Sequence, residues 1–377
     1  MSLNPFHQSP EKFQKAIAKG LSRSFDDRAT KQEDLDLASA RVVILSDQHK
    51  GTRDGADDFL RGHRVYAAAL GSYLENGWRL VVLGDVEELW ENPPEPVLEL
   101  YGDVLELEAE FHRRGRYERF WGNHDDLWRY PAQFRKHLGG VFPDLMVREA
   151  LRWRVTSQGD ECGLIFLVHG HQGTLESERF AWISRRFVRH VWRPIQRRLN
   201  VPWNTPALDW KLRGRHERAM FQWSRDHPAK PVTIAGHTHR PVFANNRVQP
   251  RVRRTAAVIQ GELDQLWESG SATPKQLGDL RAELEFTRAE ERRFADNNDD
   301  RLDPEPPCYF NTGCCSFGDG DITGLEISGG EIRLVRWAVS EDDSAGAPAG
   351  TTAQRHELDH ARLTDVFQAV RSYAASG

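Results

Sequence analysis

Five short blocks of this 377-residue chain carry side chains that bind divalent cations. They are Asp47 and His49 in SDQHKG, Asp85 in GDVEELWE, Asn123 and His124 in GNHDD, His169 and His171 in VHGHQG, and His237 and His239 in GHTHRP. Two or more carboxylates, an amide oxygen and at least four imidazoles exceed what one tetrahedral zinc site uses, and a mixed oxygen and nitrogen set suits Mn, Fe or Zn. The donor count predicts two ions. In two-metal hydrolases the ions stand roughly 3.5–4 Å apart and commonly share a carboxylate, and Asp85 is the expected bridge.

Each block closes a short apolar run: Val42–Leu45, Leu80–Leu83, Tyr117–Trp121, Leu164–Val168 and Val232–Ala235. Runs this short and continuous predict strands buried on both faces. Helical patterns at Phe59–Asn76 and Val97–Arg114 separate the early ones, so the repeating unit is strand, helix, strand and the chain reads as α/β. Ligands of open α/β sheets gather at the carboxyl ends of strands, so blocks far apart in sequence are expected to converge. Gly84, Gly122 and Gly236 let the backbone turn there without a Cβ in the way.

Around this core, residues 1–40 read as a polar helical arm with Phe13, Ile17 and Leu21 at helical spacing, and 41–339 as the main domain. Two segments break the rhythm: an Arg- and Trp-rich one at about 176–228 and a charged helical one at about 244–306. Both are expected to be insertions. The core resumes at Cys308 with a run of hairpin strands; 340–377 is expected to be a flexible linker followed by an amphipathic helix over Gln354–Ala375.

The ordered set D-x-H (Asp47, His49), G-D (Gly84, Asp85), G-N-H-D (Gly122 to Asp125), a later His169 and G-H-x-H (Gly236 to His239) resembles the calcineurin-like metallophosphoesterases. The resemblance covers about residues 41–243 and 308–337. It implies two stacked mixed β-sheets flanked by helices, with one metal on Asp47, His49, Asp85 and His239 and the second on Asp85, Asn123, His169 and His237. It also implies in-line attack on phosphorus by a hydroxide lying between the metals, with His124 protonating the leaving oxygen or holding the phosphate, and Asp125 orienting it. Asn123 and His171 are further candidates for substrate contact.

Several features keep two readings. His171 is either a second site residue beside His169 or a loop residue, and Asn311 in YFNTG either supports the site or caps a turn. Glu87, Glu88 and Trp90 are either solvated or substrate-facing. Arg179–Pro206 holds seven arginines, no acidic residue and an apolar stripe at Phe180, Ile183, Phe187, Val191, Ile195 and Leu199. It is either a helix with its Arg side in water or a lid whose Arg185, Arg186 and Arg189 pair with substrate phosphate. His7, His63, His112, His216 and His360 show no companion ligands and are expected at the surface or in the core.

GDVEELWE and the basic aromatic segment also resemble UDP-diacylglucosamine hydrolases, which cleave a pyrophosphate on a lipid intermediate. Those enzymes carry G-N-R-D and H-G-D where this chain has GNHD and HGHQ. The leading expectation is thus hydrolysis of a phosphomonoester or phosphodiester. Lipid-linked pyrophosphate cleavage, a noncatalytic metal-bound scaffold and a nuclease are the alternatives.

A net charge of -5 argues against a globally basic nucleic-acid binder, and four cysteines without a CxxC pair fit a reduced compartment. No apolar run approaches the roughly 20 residues of a membrane span. The expectation is a cytoplasmic protein, with peripheral membrane contact allowed by the Arg segment.

Overall fold

The computed structural model describes residues 10–173, 210–243, 248–269, several positions between 273 and 288, 306–318, 320–339 and 353–375. One unit takes in Met1–Val242 and Cys308–Phe367, and a second takes in Phe243–Pro307 and Gln368–Gly377. In the second, helix Val248–Ser269 buries Ala256, Ile259 and Leu263 in a small cluster with Leu284.

The first unit is α/β, with two mixed six-stranded sheets flanked by helices. Its elements begin with α1 (Pro10–Asp26), β1 (Lys31–Asp36), β2 (Arg41–Leu45), α2 (His63–Glu75), β3 (Arg79–Leu83), α3 (Pro94–Leu100), α4 (Gly102–Arg113), β4 (Tyr117–Phe120) and α5 (Pro131–Leu138). Then come β5 (Ala150–Ser157), β6 (Asp160–Val168), α6 (Trp210–Asp226), β7 (Val232–Ala235) and β8 (Pro241–Phe243). After helix α7, which is the Val248–Ser269 segment of the second unit, follow β9 (Tyr309–Thr312), β10 (Ile322–Ser328), β11 (Glu331–Val339), β12 (Ala353–Arg362) and α8 (Leu363–Ala375), whose residues from Gln368 on belong to the second unit. One sheet has the order β1-β5-β6-β7-β9-β8 and the other β12-β11-β10-β2-β3-β4.

The five apolar runs are all strands, but they divide between the sheets: β2, β3 and β4 lie parallel in one, and β6 and β7 lie parallel in the other. Register brings their ends level. Leu45 pairs with Val82, Leu83 with Phe120 and Leu167 with Ile234, so each ligand block leaves its strand at the same height as its neighbour. Helices α2 and α4 cover the β2-β3-β4 sheet with Val65, Tyr66, Leu70, Val104, Leu105 and Phe111, all buried.

Three sequence expectations change. Residues 31–36, read as part of a helical arm, form β1 and pair parallel with β5; only 10–26 is the helix. The proposed insertion at 176–228 is too long at its end, because α6 belongs to the first unit and packs on α1 and β7. There Trp223, Phe25 and Phe166 interlock with ring centroids 5.2–5.8 Å apart. Residues 354–362, read as helix, extend the sheet as β12, antiparallel to β11. Pairing with β11 decides that segment, helped by Glu326 on the strand beyond, which takes both Arg355 contacts at 2.6 and 2.8 Å. Arg185, Arg186 and Arg189 lie outside the described residues.

A buried charge cluster ties the loops after β2 and β3 to α4 and β4. Lys50 Nζ donates to Glu108 Oε1 at 2.7 Å, Tyr117 donates to the other oxygen at 2.6 Å, and Arg119 binds Glu87. All four charged groups are essentially inaccessible. Burial disfavours the Glu108 carboxylate, but Lys50 and Arg119 outweigh it and lower its pKa. A depressed folded pKa means that this stabilisation is present above the ordinary carboxylate range and is lost as pH falls below it. Glu108→Gln leaves Lys50 buried without its anion and is expected to cost about 3–5 kcal/mol, read from urea unfolding. Removing both charges, as Lys50→Met with Glu108→Leu, should recover much of that loss; an unchanged midpoint in Glu108→Gln would show that the pair contributes nothing.

Candidate metal centre

The ligand blocks meet where the carboxyl ends of strands from both sheets come together. Three side-chain groups have their ligand atoms within 4.8 Å of one another: Asp47, His49 and His239; His49, Asp85 and His124; and Asp85, His169 and His237. The turns lock to each other through the backbone. Asp47 N donates to Gly84 O at 3.1 Å, His49 N to Asp85 O at 3.0 Å, and Gly236 N to His169 O at 2.9 Å.

Five of the nine non-glycine residues with positive φ among the described residues are here: Asp47, His49, Asp85, His237 and His239, with φ between 51° and 69°. Left-handed backbone costs a side-chain-bearing residue about 1–3 kcal/mol, and such strain clusters at functional sites. Two glycines are required by close approach: a Cβ on Gly122 would sit 2.1 Å from Asp85 Oδ1, and one on Gly236 would sit 2.5 Å from Asp47 Oδ2.

The ligand atoms crowd together. His49 Nε2 and His239 Nε2 are 3.0 Å apart, and they lie 3.8 and 3.3 Å from Asp47 Oδ1. His169 donates from Nδ1 to Leu83 O at 2.7 Å, which presents Nε2 to the site. That Nε2 lies 3.1 Å from Asp85 Oδ2 yet completes no hydrogen bond, and Asn123 Oδ1 is likewise buried without one. A buried amide oxygen and a buried imidazole nitrogen without hydrogen-bond partners, beside carboxylates, are what a cation would satisfy once the imidazole is neutral, so the residues present fit a divalent metal. His124 and His239 each keep 22% side-chain exposure while Asp47, Asp85 and His169 are sealed, so the centre opens on the His124 and His239 side.

Glu88, left open between two readings, is central. Its Oε2 takes the Nδ1 contacts of both His124, at 2.6 Å, and His49, at 3.2 Å. Burial works against the Glu88 carboxylate, but the two histidines hold it down at about 2. Trp90 stacks on His124 with centroids 4.3 Å apart and an interplanar angle of 19°, and its indole N–H donates to Asn123 O. Asp125 plays a different part from the one expected. It accepts from Gly122 N at 2.6 Å and Val86 N at 3.0 Å, so it staples two loops, and Glu88 takes the place of His124's orienting carboxylate.

The other expected residues fall as follows. His171 is buried with its ring 5.4 Å from that of His169 and 4.8 Å from Trp121. Asn311 braces the GHTH turn, donating to Gly236 O at 2.6 Å and Thr238 Oγ1 at 3.2 Å. Ser316 Oγ and Cys315 N donate to Asp47 O at 2.9 and 3.2 Å, so the segment after β9 holds the first block in place. His63 and His360 pair instead with Asp103 and Glu357. His216, expected at the surface or in the core, is buried: α6 places its ring against that of His237.

No protein-family model and no curated protein matches this chain. No helix among the described residues is long and apolar enough to cross a membrane.

Proposed function

We propose that this chain is a calcineurin-like, two-metal phosphoesterase that hydrolyses a phosphomonoester or phosphodiester. The observation that supports it most is the convergence of Asp47, His49, Asp85, His169, His237 and His239 from separate blocks of the chain, with Asn123 Oδ1 and His169 Nε2 left unsatisfied among them. Asp47, His49, Asp85 and His239 would hold one cation, and Asp85, Asn123, His169 and His237 the other. When bound, such cations acidify water and neutralise phosphoryl oxygens. His124 stands at the exposed edge with its Nδ1 on Glu88, which favours a protonated ring: burial lowers its pKa, but Glu88 and Asp85 raise it further. It is therefore placed to give a proton to a departing oxygen.

The test is metal-free protein reloaded with Mn, Ni, Co or Zn and assayed on p-nitrophenyl phosphate, bis-p-nitrophenyl phosphate and a lipid-linked nucleoside pyrophosphate. The expected result is two ions per chain and metal-dependent hydrolysis of the mono- or diester. Hydrolysis of the pyrophosphate alone would move the assignment to the lipid-linked class. Two bound ions with no hydrolysis of any substrate would make the fold a scaffold.

Metal affinity should also rise with pH. Burial opposes charge on His169, but Asp85 and Asp47 prevail and push it up to about 9 in the metal-free chain. A cation on Nε2 must displace that proton. Below about pH 9 the proton competes, so Mn affinity is expected to increase between pH 6 and 9 by up to about tenfold per unit for each proton released. Titration calorimetry in buffers of different ionisation enthalpy measures the release; a flat affinity would contradict it.

A further inference from the structure

We infer that His216 is a positioning residue for His237, accepting the ring N–H that His237 turns away from the metal centre. The inference rests on the two-metal reading above. Metal-binding histidines almost always donate their second ring nitrogen to a fixed acceptor, which sets tautomer and ring orientation. His169 has the Leu83 carbonyl for this at 2.7 Å, and His49 has Glu88 at 3.2 Å. His237 is anchored through its backbone N–H to Asp47, at 2.9 and 3.2 Å, and its ring makes no hydrogen bond among the described residues.

His216 stands where that acceptor is needed. It is 4% exposed, and neither of its ring nitrogens completes a hydrogen bond. Its ring centroid is 5.1 Å from that of His237 with the planes tilted by 58°. A linear N–H···N bond of about 2.9 Å between two imidazoles puts their centroids about 5 Å apart, so a small ring rotation completes the bond. The backbone of Gly170, between His169 and His171, also lies beside His216. An imidazole placed between them donates from one nitrogen and accepts with the other.

The surroundings hold it there. Phe13 of α1 meets the His216 ring edge-on, with centroids 6.1 Å apart. The next residue on α6, Glu217, reaches Thr238 Oγ1 at 3.4 Å. Two consecutive residues of α6 thus address two consecutive residues of the GHTH turn. A histidine kept only for packing would leave two buried nitrogens unsatisfied, which an apolar ring of similar shape avoids.

That contrast provides the test. His216→Phe keeps a ring and removes both nitrogens, whereas His216→Asn keeps a donor and an acceptor. Each metal-free variant is titrated with Mn by calorimetry, and its melting temperature is recorded without metal. The expected result is that His216→Phe binds one of the two Mn ions about 10–100-fold more weakly, while melting in the metal-free state no lower than the parent. His216→Asn is expected to regain part of the affinity. Two Mn sites at parental affinity in both variants would overturn the role of His216. A parent chain that binds no Mn would instead remove the metal centre itself, and the two failures are distinct.

Discussion

Replacement of Asp85 by Asn is expected to abolish metal retention and activity together. Among the described residues Asp85 is the one carboxylate shared between ligand groups, appearing with His49 and His124 in one and with His169 and His237 in another. Its Oδ2 lies 3.7 Å from His49 Nε2 and 3.1 Å from His169 Nε2, while Oδ1 accepts the His124 backbone N–H at 2.8 Å. Asparagine keeps the shape but removes the charge. It also turns one of the two acceptor atoms into a donor that faces imidazole nitrogens. Several kcal/mol of transition-state stabilisation depend on a bound cation pair, which corresponds to about 10³-fold or more in rate. The check is Mn content after gel filtration beside turnover of an aryl phosphate. If the Asp85→Asn variant retained both ions and parental turnover, Asp85 would be removed from the bridging position.

Replacement of His124 by Ala should separate the two properties. His124 lies at the open edge, 22% exposed, and is supported by Glu88 on Nδ1 and by the stacked Trp90 indole. The ions would rest on other residues, so two should still bind. Loss of a positioned general acid lowers kcat by about 10²–10⁴-fold. The size should depend on the leaving group, since an alkyl oxygen needs the proton and p-nitrophenolate leaves with little help. A deficit equal for aryl and alkyl esters would assign His124 to phosphate binding rather than proton transfer. Glu88→Gln is expected to produce a smaller deficit in the same direction, because Gln still accepts from Nδ1 without favouring its charged form.

Much of this site is legible in the sequence because each piece is local. An apolar run, a glycine and a short ligand side chain need only a few consecutive residues. The runs 42–45, 80–83 and 232–235 are strands for that reason. Pairing at a distance is not legible in this way. Residues 31–36 and 353–362 carry many charged side chains and no clear core face, and they become strands only because β5 and β11 offer them free edges. The resemblance implies that Asp125 orients His124. In space the Asp125 carboxylate turns to the amides of Gly122 and Val86, and Glu88, 36 residues away in sequence, takes the imidazole.

Residue type and spacing alone pick out the metal-ligand candidates and set them at strand ends, since both are properties of the linear chain. Tertiary packing sets what surrounds them: the split of the strands between two sheets, Glu88 between two imidazoles, and His216 brought by α6 against the ring of His237. These are contacts between residues tens to hundreds of positions apart. Hydrophobic periodicity carries no signal for them, because they are fixed by the packing of α6 and the loops after folding has brought the sheets together.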